Sequence, residues 1–240
     1  MSRNIFDVSK TILDTRGHIG YNCSMSNKKF NIFLLIQLSI FVTVPYAVYE
    51  GANWLLIFAL YVLFKGVGVS FYMHRVLTHK MYTVPNWIYS ATAFIGSLQP
   101  PAVWAAVHAE HHKYADTEKD PHSPTHLRWK MLFSIFHKPY LCKRTFIELN
   151  RIPCVGFFTK YYFHLVGLIA LVFVLFPSQM AMYWAVPVAL NLWVQNISAW
   201  YGHRHGRPSP QPWFWHLVVD PGEKDHIAHH RYDNDSSRNS

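Results

Sequence analysis

Eight histidines of this sequence fall into three tight groups: His74 and His79 in HRVLTH, His108, His111 and His112 in HAEHH, and His226, His229 and His230 in HIAHH. With 16 histidines in 240 residues, the pattern H-x-x-H-H arises by chance about once in 3,400 positions, so two copies in one chain call for a chemical reason. On a helix, offsets of three and four residues turn through about 300° and 400°, which sets each triplet on one face, a turn apart. Imidazole without thiolate suits iron, zinc or copper rather than calcium or magnesium. Eight imidazoles exceed the four or six positions of a single ion, so the expectation is a dinuclear site. The offset of five in HRVLTH is awkward: about 140° on an α-helix, so His74 and His79 diverge unless they straddle two metals or the helix unwinds between them. Asp116 and Asp120 follow the second group, and carboxylates there can accept the second ring N–H of a ligand histidine and fix its tautomer. His122 suits a turn contact as well as a catalytic role, and the isolated His18, His126, His137, His164 and His216 read as interfacial or hydrogen-bonded rings.

The elements that must hold these groups follow from composition. Apolar residues make up 51% of the chain and aromatic ones 17%, whereas charged residues reach only 15%, well below the roughly 25% usual in water-soluble domains. The deficit points to lipid as a second solvent. Ile32 to Tyr49 carries no charge and would extend about 27 Å as a helix, nearly the thickness of a bilayer core. Ala52 to Tyr72 follows after a two-residue connection and must return antiparallel, with Lys65 as its one charge, placed to snorkel. Tyr161 to Phe176 and Met180 to Trp200 form a second such pair, giving four expected spans, about 32–49, 52–72, 161–176 and 180–200.

Charge placement supports that arrangement. Of 22 Lys and Arg residues, 21 lie in the N-terminal segment, between Arg75 and Lys160, or after Arg204, and neither outer turn holds any. By the positive-inside rule both termini and the long middle segment face the cytoplasm. The net charge of +9 is therefore topological, and with no basic stripe in a soluble module a nucleic-acid partner is not expected. The apolar stretch between His79 and His108 is broken by Pro100 and Pro101, which suits an interfacial or re-entrant helix on the inner side. Cys23, Cys142 and Cys154 lie far apart, excluding a disulfide framework or a thiolate zinc site. The N-terminal segment has no signal-peptide pattern. The expected fold is an all-α integral membrane protein, a single domain over residues 1–240, with four transmembrane helices and a cytoplasmic helical cap carrying a His-rich dimetal site.

HRVLTH, HAEHHKYADTEKDPHS and GEKDHIAHH, so distributed, resemble the membrane fatty acid desaturases, particularly the branch of stearoyl-CoA and bacterial acyl desaturases, over about Ile32 to Tyr232. The resemblance implies metal ligands at His74, His79, His108, His111, His112, His226, His229 and His230. It also implies two iron ions, dioxygen activation beside an acyl chain in an apolar tunnel, and removal of hydrogens from adjacent carbons. The acyl substrate would be linked to CoA, a carrier protein or a lipid. Electrons would come from an external donor such as ferredoxin or cytochrome b5 with its reductase, docking at the basic inner face. The membrane implied is the bacterial inner membrane or the endoplasmic reticulum. Ala109, Lys224 and Ile227 depart from the family pattern at flanking positions. A larger departure lies at the end of the fourth span, where the family pattern N-x-x-x-H-x-x-G-x-R, set on Gly202 and Arg204, puts Gln195 at the Asn and Ala199 at the His. A gapped alignment from Asn196 reaches Trp200, which cannot coordinate either. His203, one helical turn beyond Ala199 on the same face, is the candidate ninth ligand, whereas His205 points about 240° away from Ala199. A lipid hydroxylase on the same scaffold, a His-rich metal transporter and a metal-dependent membrane hydrolase are the competing functions.

Overall fold

The computed structural model describes residues 7–13, 19–24, 27–121, 123 and 143–210. Two strands, β1 (Asp7–Leu13) and β2 (Ile19–Ser24), pair antiparallel from Asp7↔Ser24 to Leu13↔Ile19, with a register shift between Lys10 and Leu13. This hairpin departs from the all-α expectation. Its segments carry the β-branched residues Val8, Thr11, Ile12 and Ile19 that favour extended backbone, and too few apolar residues for the hydropathy pattern to register. The other regular elements among the described residues are helical: α1 (Asn27–Phe41), α2 (Thr43–Tyr49), α3 (Trp54–Thr78), α4 (Asn86–Ser97), α5 (Pro101–Tyr114), α6 (Lys143–Asn150), α7 (Pro153–Lys160), α8 (Tyr162–Leu175) and α9 (Val186–His203).

The expected first span is broken. α1 stops at Phe41 and α2 restarts at Thr43, because Pro45 donates no N–H and its ring crowds the carbonyl four residues back, that of Phe41. The second span is longer than expected: α3 starts at an Asn53 cap, whose side chain accepts the Leu56 N–H at 3.1 Å, and runs 25 residues to Thr78. From Leu63 onward it is π-wound. α7 and α8 meet at 71°. Pro177–Met180 and a π-helical turn at Ala181–Ala185 lead into α9. Among the described residues α3 alone is long and apolar enough to cross a membrane, and α7 with α8 adds a second crossing only if the bent pair is one span. Lys65 is buried, 4% exposed, and does not snorkel as its place near the end of the span suggested.

α4 and α5 are two short helices at a corner, as the proline pair requires. Leu98 closes α4 in the left-handed conformation (φ 52°), Pro100 cannot continue the helix, and Pro101 starts α5 at the position where a missing N–H costs nothing. The last carbonyls of α4 are met from other helices: the Trp184 indole donates to Ile95 O at 3.0 Å and the Asn191 amide to Gly96 O at 2.7 Å. Those contacts satisfy groups that a helix end otherwise leaves unpaired. α3 and α4 approach closely because both are thin where they touch. A Cβ at Gly96 would lie 2.6 Å from Phe64 Cβ, and one at Gly68 would lie 3.0 Å from Ala93 Cα.

The main core, with Tyr72, Met73, Phe94, Leu98, Ala105, Val155, Phe158, Tyr162 and Leu192 buried, joins α3, α4, α5, α7, α8 and α9. A second cluster, Ala47, Ala52, Ile57 and Val186, sits near the two short turns. There Tyr46 Oη and Ser178 Oγ are 2.9 Å apart, and the Asn53 N–H reaches Tyr183 Oη at 3.4 Å. The turns therefore share one end of the molecule. From that end α3 and α9 run to their C-termini, which carry His74 and His203. Outward-facing Leu35, Leu55, Val174 and Leu175 are 62–80% exposed, an apolar surface of the kind a water-soluble monomer avoids.

Candidate metal centre

The π winding of α3 resolves the awkward spacing of HRVLTH. Hydrogen bonds in a π-helix run between residues five apart, so each turn takes about one residue more than an α-turn and residue 79 comes back over residue 74. The His79 N–H indeed donates to His74 O at 3.0 Å, and the two rings stand 4.6 Å apart, edge to face. The helix unwinds, as one of the two sequence alternatives required.

α5 brings its own pair. His108 and His112, one turn apart, face the end of α3 with their Nε2 atoms 3.0 Å from each other. His108 lies 4.8 Å from the His74 ring and His112 lies 4.9 Å from the His79 ring. One nitrogen from each of His74, His79, His108 and His112 falls within 4.8 Å of all the others, so the four converge on a volume of the size a single ion occupies. Burial, and then the neighbouring imidazoles His112, His74, His111 and His79, hold His108 well below the ordinary imidazole pKa. It is uncharged at neutral pH with a lone pair to offer.

His111 turns away from that quartet into a second group. Its Nδ1 is 2.8 Å from Asp120 Oδ1, both side chains being buried, and its ring stands 4.7 Å from His203. His203, 1% exposed, has Nδ1 3.0 Å from Asp116 Oδ2. The Asp120 carboxylate also accepts the Asp116 N–H at 2.9 Å, pinning the left-handed Asp116 (φ 63°) that aims its own carboxylate at His203. With each Nδ1 on a carboxylate, the Nε2 atoms of His111 and His203 are the ring nitrogens left to face a metal. The remaining Asp116 oxygen, Oδ1, is buried without a hydrogen-bond partner among the described residues.

The donor set fits transition metals. Clustered imidazoles backed by carboxylates are the surroundings that iron, zinc and copper take, and an orphaned buried carboxylate oxygen suits a cation nearby. Of the nine histidines that the sequence singles out, six come together in the structure, in groups of four and two. His226, His229 and His230 lie outside the described residues, as do His122, His126, His137, His216 and Lys138. His205 is exposed, as is His164, whose ring lies 6.0 Å from that of Tyr161. Ala199 is half-buried and offers no donor. Trp104 was not anticipated: its ring stacks on His108 at 4.7 Å, and its Nε1 donates to Gln195 Oε1 at 2.9 Å. Its place four residues before His108, on the same helical face, was the available signal.

A helical protein whose histidines gather from three helices onto one metal-binding centre is the class that fold and site define. No family model matches the chain. It is 26% identical to an acyl-CoA C20 Delta5-desaturase of Anemone leveillei, over 87% of this chain and 72% of that protein. It is 28% identical to an sn-2 palmitoyl-lipid 9-desaturase of Nostoc sp. (strain 36), over 76% and 70%, and 29% identical to Delta-9 acyl-lipid desaturase 2 of Arabidopsis thaliana, over 70% and 60%. These relatives, similar over most of the chain, are acyl-CoA and acyl-lipid desaturases, and the similarity supports a membrane fatty acid desaturase.

Proposed function

We propose that this chain is an oxygen-dependent fatty acyl desaturase that introduces a double bond into a saturated acyl chain at a pair of His-ligated iron ions. The observation that carries the reading is the division of six histidines, four of them buried, into two adjoining groups. His74, His79, His108 and His112 hold one ion. His111 and His203, with His226, His229 and His230 of the C-terminal group, hold the other. The iron pair would supply the dioxygen activation that removal of hydrogen from an unactivated methylene demands and that no side chain provides. The chain's own part is positional. Asp120 and Asp116 hold the tautomers of His111 and His203, the π-wound end of α3 sets His74 over His79, and the buried apolar residues around Tyr72, Met73, Ala105 and Ala106 keep water from the metal-facing rings.

In this reading the chain is a single unit that crosses the membrane four times, with both termini and the metal centre in the cytoplasm. The shared position of the two short turns and the one-sided Lys and Arg support it. The acyl substrate is CoA-, carrier- or lipid-linked. Ferredoxin, or cytochrome b5 with its reductase, supplies electrons at the basic inner face, where acidic carriers are drawn. Lipid analysis of a desaturase-deficient host expressing the chain tests the activity. New monounsaturated chains are expected with the wild type and none with His111→Ala. Hydroxylated chains in their place would contradict desaturation, and an unchanged lipid profile would contradict both.

A further inference from the structure

A single line of hydrogen bonds runs from the end of α4 to the metal centre through side chains that coordinate nothing. The Asn191 amide donates to Gly96 O at 2.7 Å, Gln195 Nε2 donates to Asn191 Oδ1 at 3.1 Å, and Trp104 Nε1 donates to Gln195 Oε1 at 2.9 Å. Its polarity is fixed at both ends. An indole can only donate and a peptide carbonyl can only accept, so neither amide can flip without breaking two bonds. Asn191 is fully buried, one turn before Gln195 on α9, and an amide flip there would leave buried polar atoms unpaired. At the far end the Trp104 ring lies nearly parallel to His108 (25°) at 4.7 Å and stands edge-on to His74 at 6.5 Å.

Resting on the metal-centre reading above, we propose that Gln195 and Asn191 are positioning residues that lock the Trp104 ring against His108 and thereby fix the plane in which His108 presents its nitrogen to the metal. A histidine with a carboxylate on its second nitrogen has its ring held by that bond, as His111 and His203 do. His108 is held by a stacked face, and the stacked face is held by the amide pair. α9 thus reaches the quartet at the end of α3 and α5 without contributing a ligand to it.

The test uses the full-length chain in detergent, stripped of metal and titrated with Co(II), whose visible absorption reports ligand geometry. Gln195→Leu keeps side-chain bulk but removes the acceptor for the indole. It is expected to bind as many Co(II) ions as the wild type, with shifted absorption bands and roughly 10-fold or greater loss of affinity for the ion at the His108 position, as for outer partners of ligands generally. Trp104→Phe, which keeps a stacking ring and loses the donor, is expected to give the same shift, and the double variant no more than either alone. If Gln195→Leu does not fold, Trp104→Phe carries the test by itself. Spectra and affinities that superimpose on the wild type, or additive shifts in the double variant, overturn the proposal while leaving the metal centre intact. A wild-type chain that takes up no Co(II) overturns the metal reading, and this proposal with it.

Discussion

His203 is where single residues carry the most information. It stands one turn beyond Ala199, where the resemblance led to the expectation of a ligand, and the structure sets it against His111 with Asp116 beside its Nδ1. Replacement of His203 by Ala is expected to lose metal and activity as severely as His229→Ala, whereas His205→Ala, at an exposed position, is mild. Equal and mild effects at 203 and 205, read by metal analysis and product yield, would remove His203 from the ligand set. Asp120→Asn keeps the shape but replaces a charged acceptor beside His111 with a neutral amide. It is expected to weaken metal retention by about 10- to 100-fold, and unchanged retention in a chelator competition would contradict its role. That His74, His79, His108, His111, His112 and His203 gather beside Asp116 and Asp120 was legible in the sequence because clustered imidazoles are rare and helical offsets are simple. What could not be read was their partition: offsets place His108, His111 and His112 on one face, and only the packing of α3 on one side and α9 on the other separates His111 from its neighbours. Gln195 was legible only as a mismatch to a ligand pattern, since nothing local shows that its amide meets an indole 91 residues earlier in the chain.

At the scale of elements, the corner at Pro100 and Pro101 was legible from the prolines, and the break at Val42 follows from Pro45 by the same physics, although hydropathy alone merged α1 and α2 into one span. The π winding was not legible. Its residues, LFKGVGVSFYMHRVLT, read as an ordinary apolar helix, and only the five-residue histidine offset hinted that the turn must be wider. The β-hairpin was missed because a two-stranded ribbon of mixed polarity leaves no periodic signal. The close approach of α3 and α4 gives a prediction at this scale. A methyl at Gly96 would press on Phe64, which overpacking generally makes about 1–3 kcal/mol destabilising. Gly96→Ala should therefore lower the thermal midpoint in detergent, while Gly167→Ala, where the added carbon meets nothing, should not. Equal midpoints for the two variants would contradict the packing.

For the whole molecule, two elements lead from a pair of short turns without Lys or Arg to the metal centre. Single cysteines introduced by Gly51→Cys and Ser178→Cys are expected to react with an impermeant thiol reagent added outside intact cells, and Lys138→Cys only after permeabilisation. External labelling at 138 would contradict the four-span topology. The long apolar helix α3 and the meeting of six histidines at its end were legible from composition and spacing, whereas the bounds of the other apolar helices were not, because prolines divide segments that hydropathy sees as continuous. The most direct measurement of the central claim is iron bound per chain in purified, reconstituted protein. The account predicts about two ions for the wild type, about one for His229→Ala, in which the quartet of His74, His79, His108 and His112 is left complete, and loss of the second ion as well when His108→Ala is added. A wild-type chain that binds no iron, or a His229→Ala, His108→Ala double variant that still holds two ions, would contradict it.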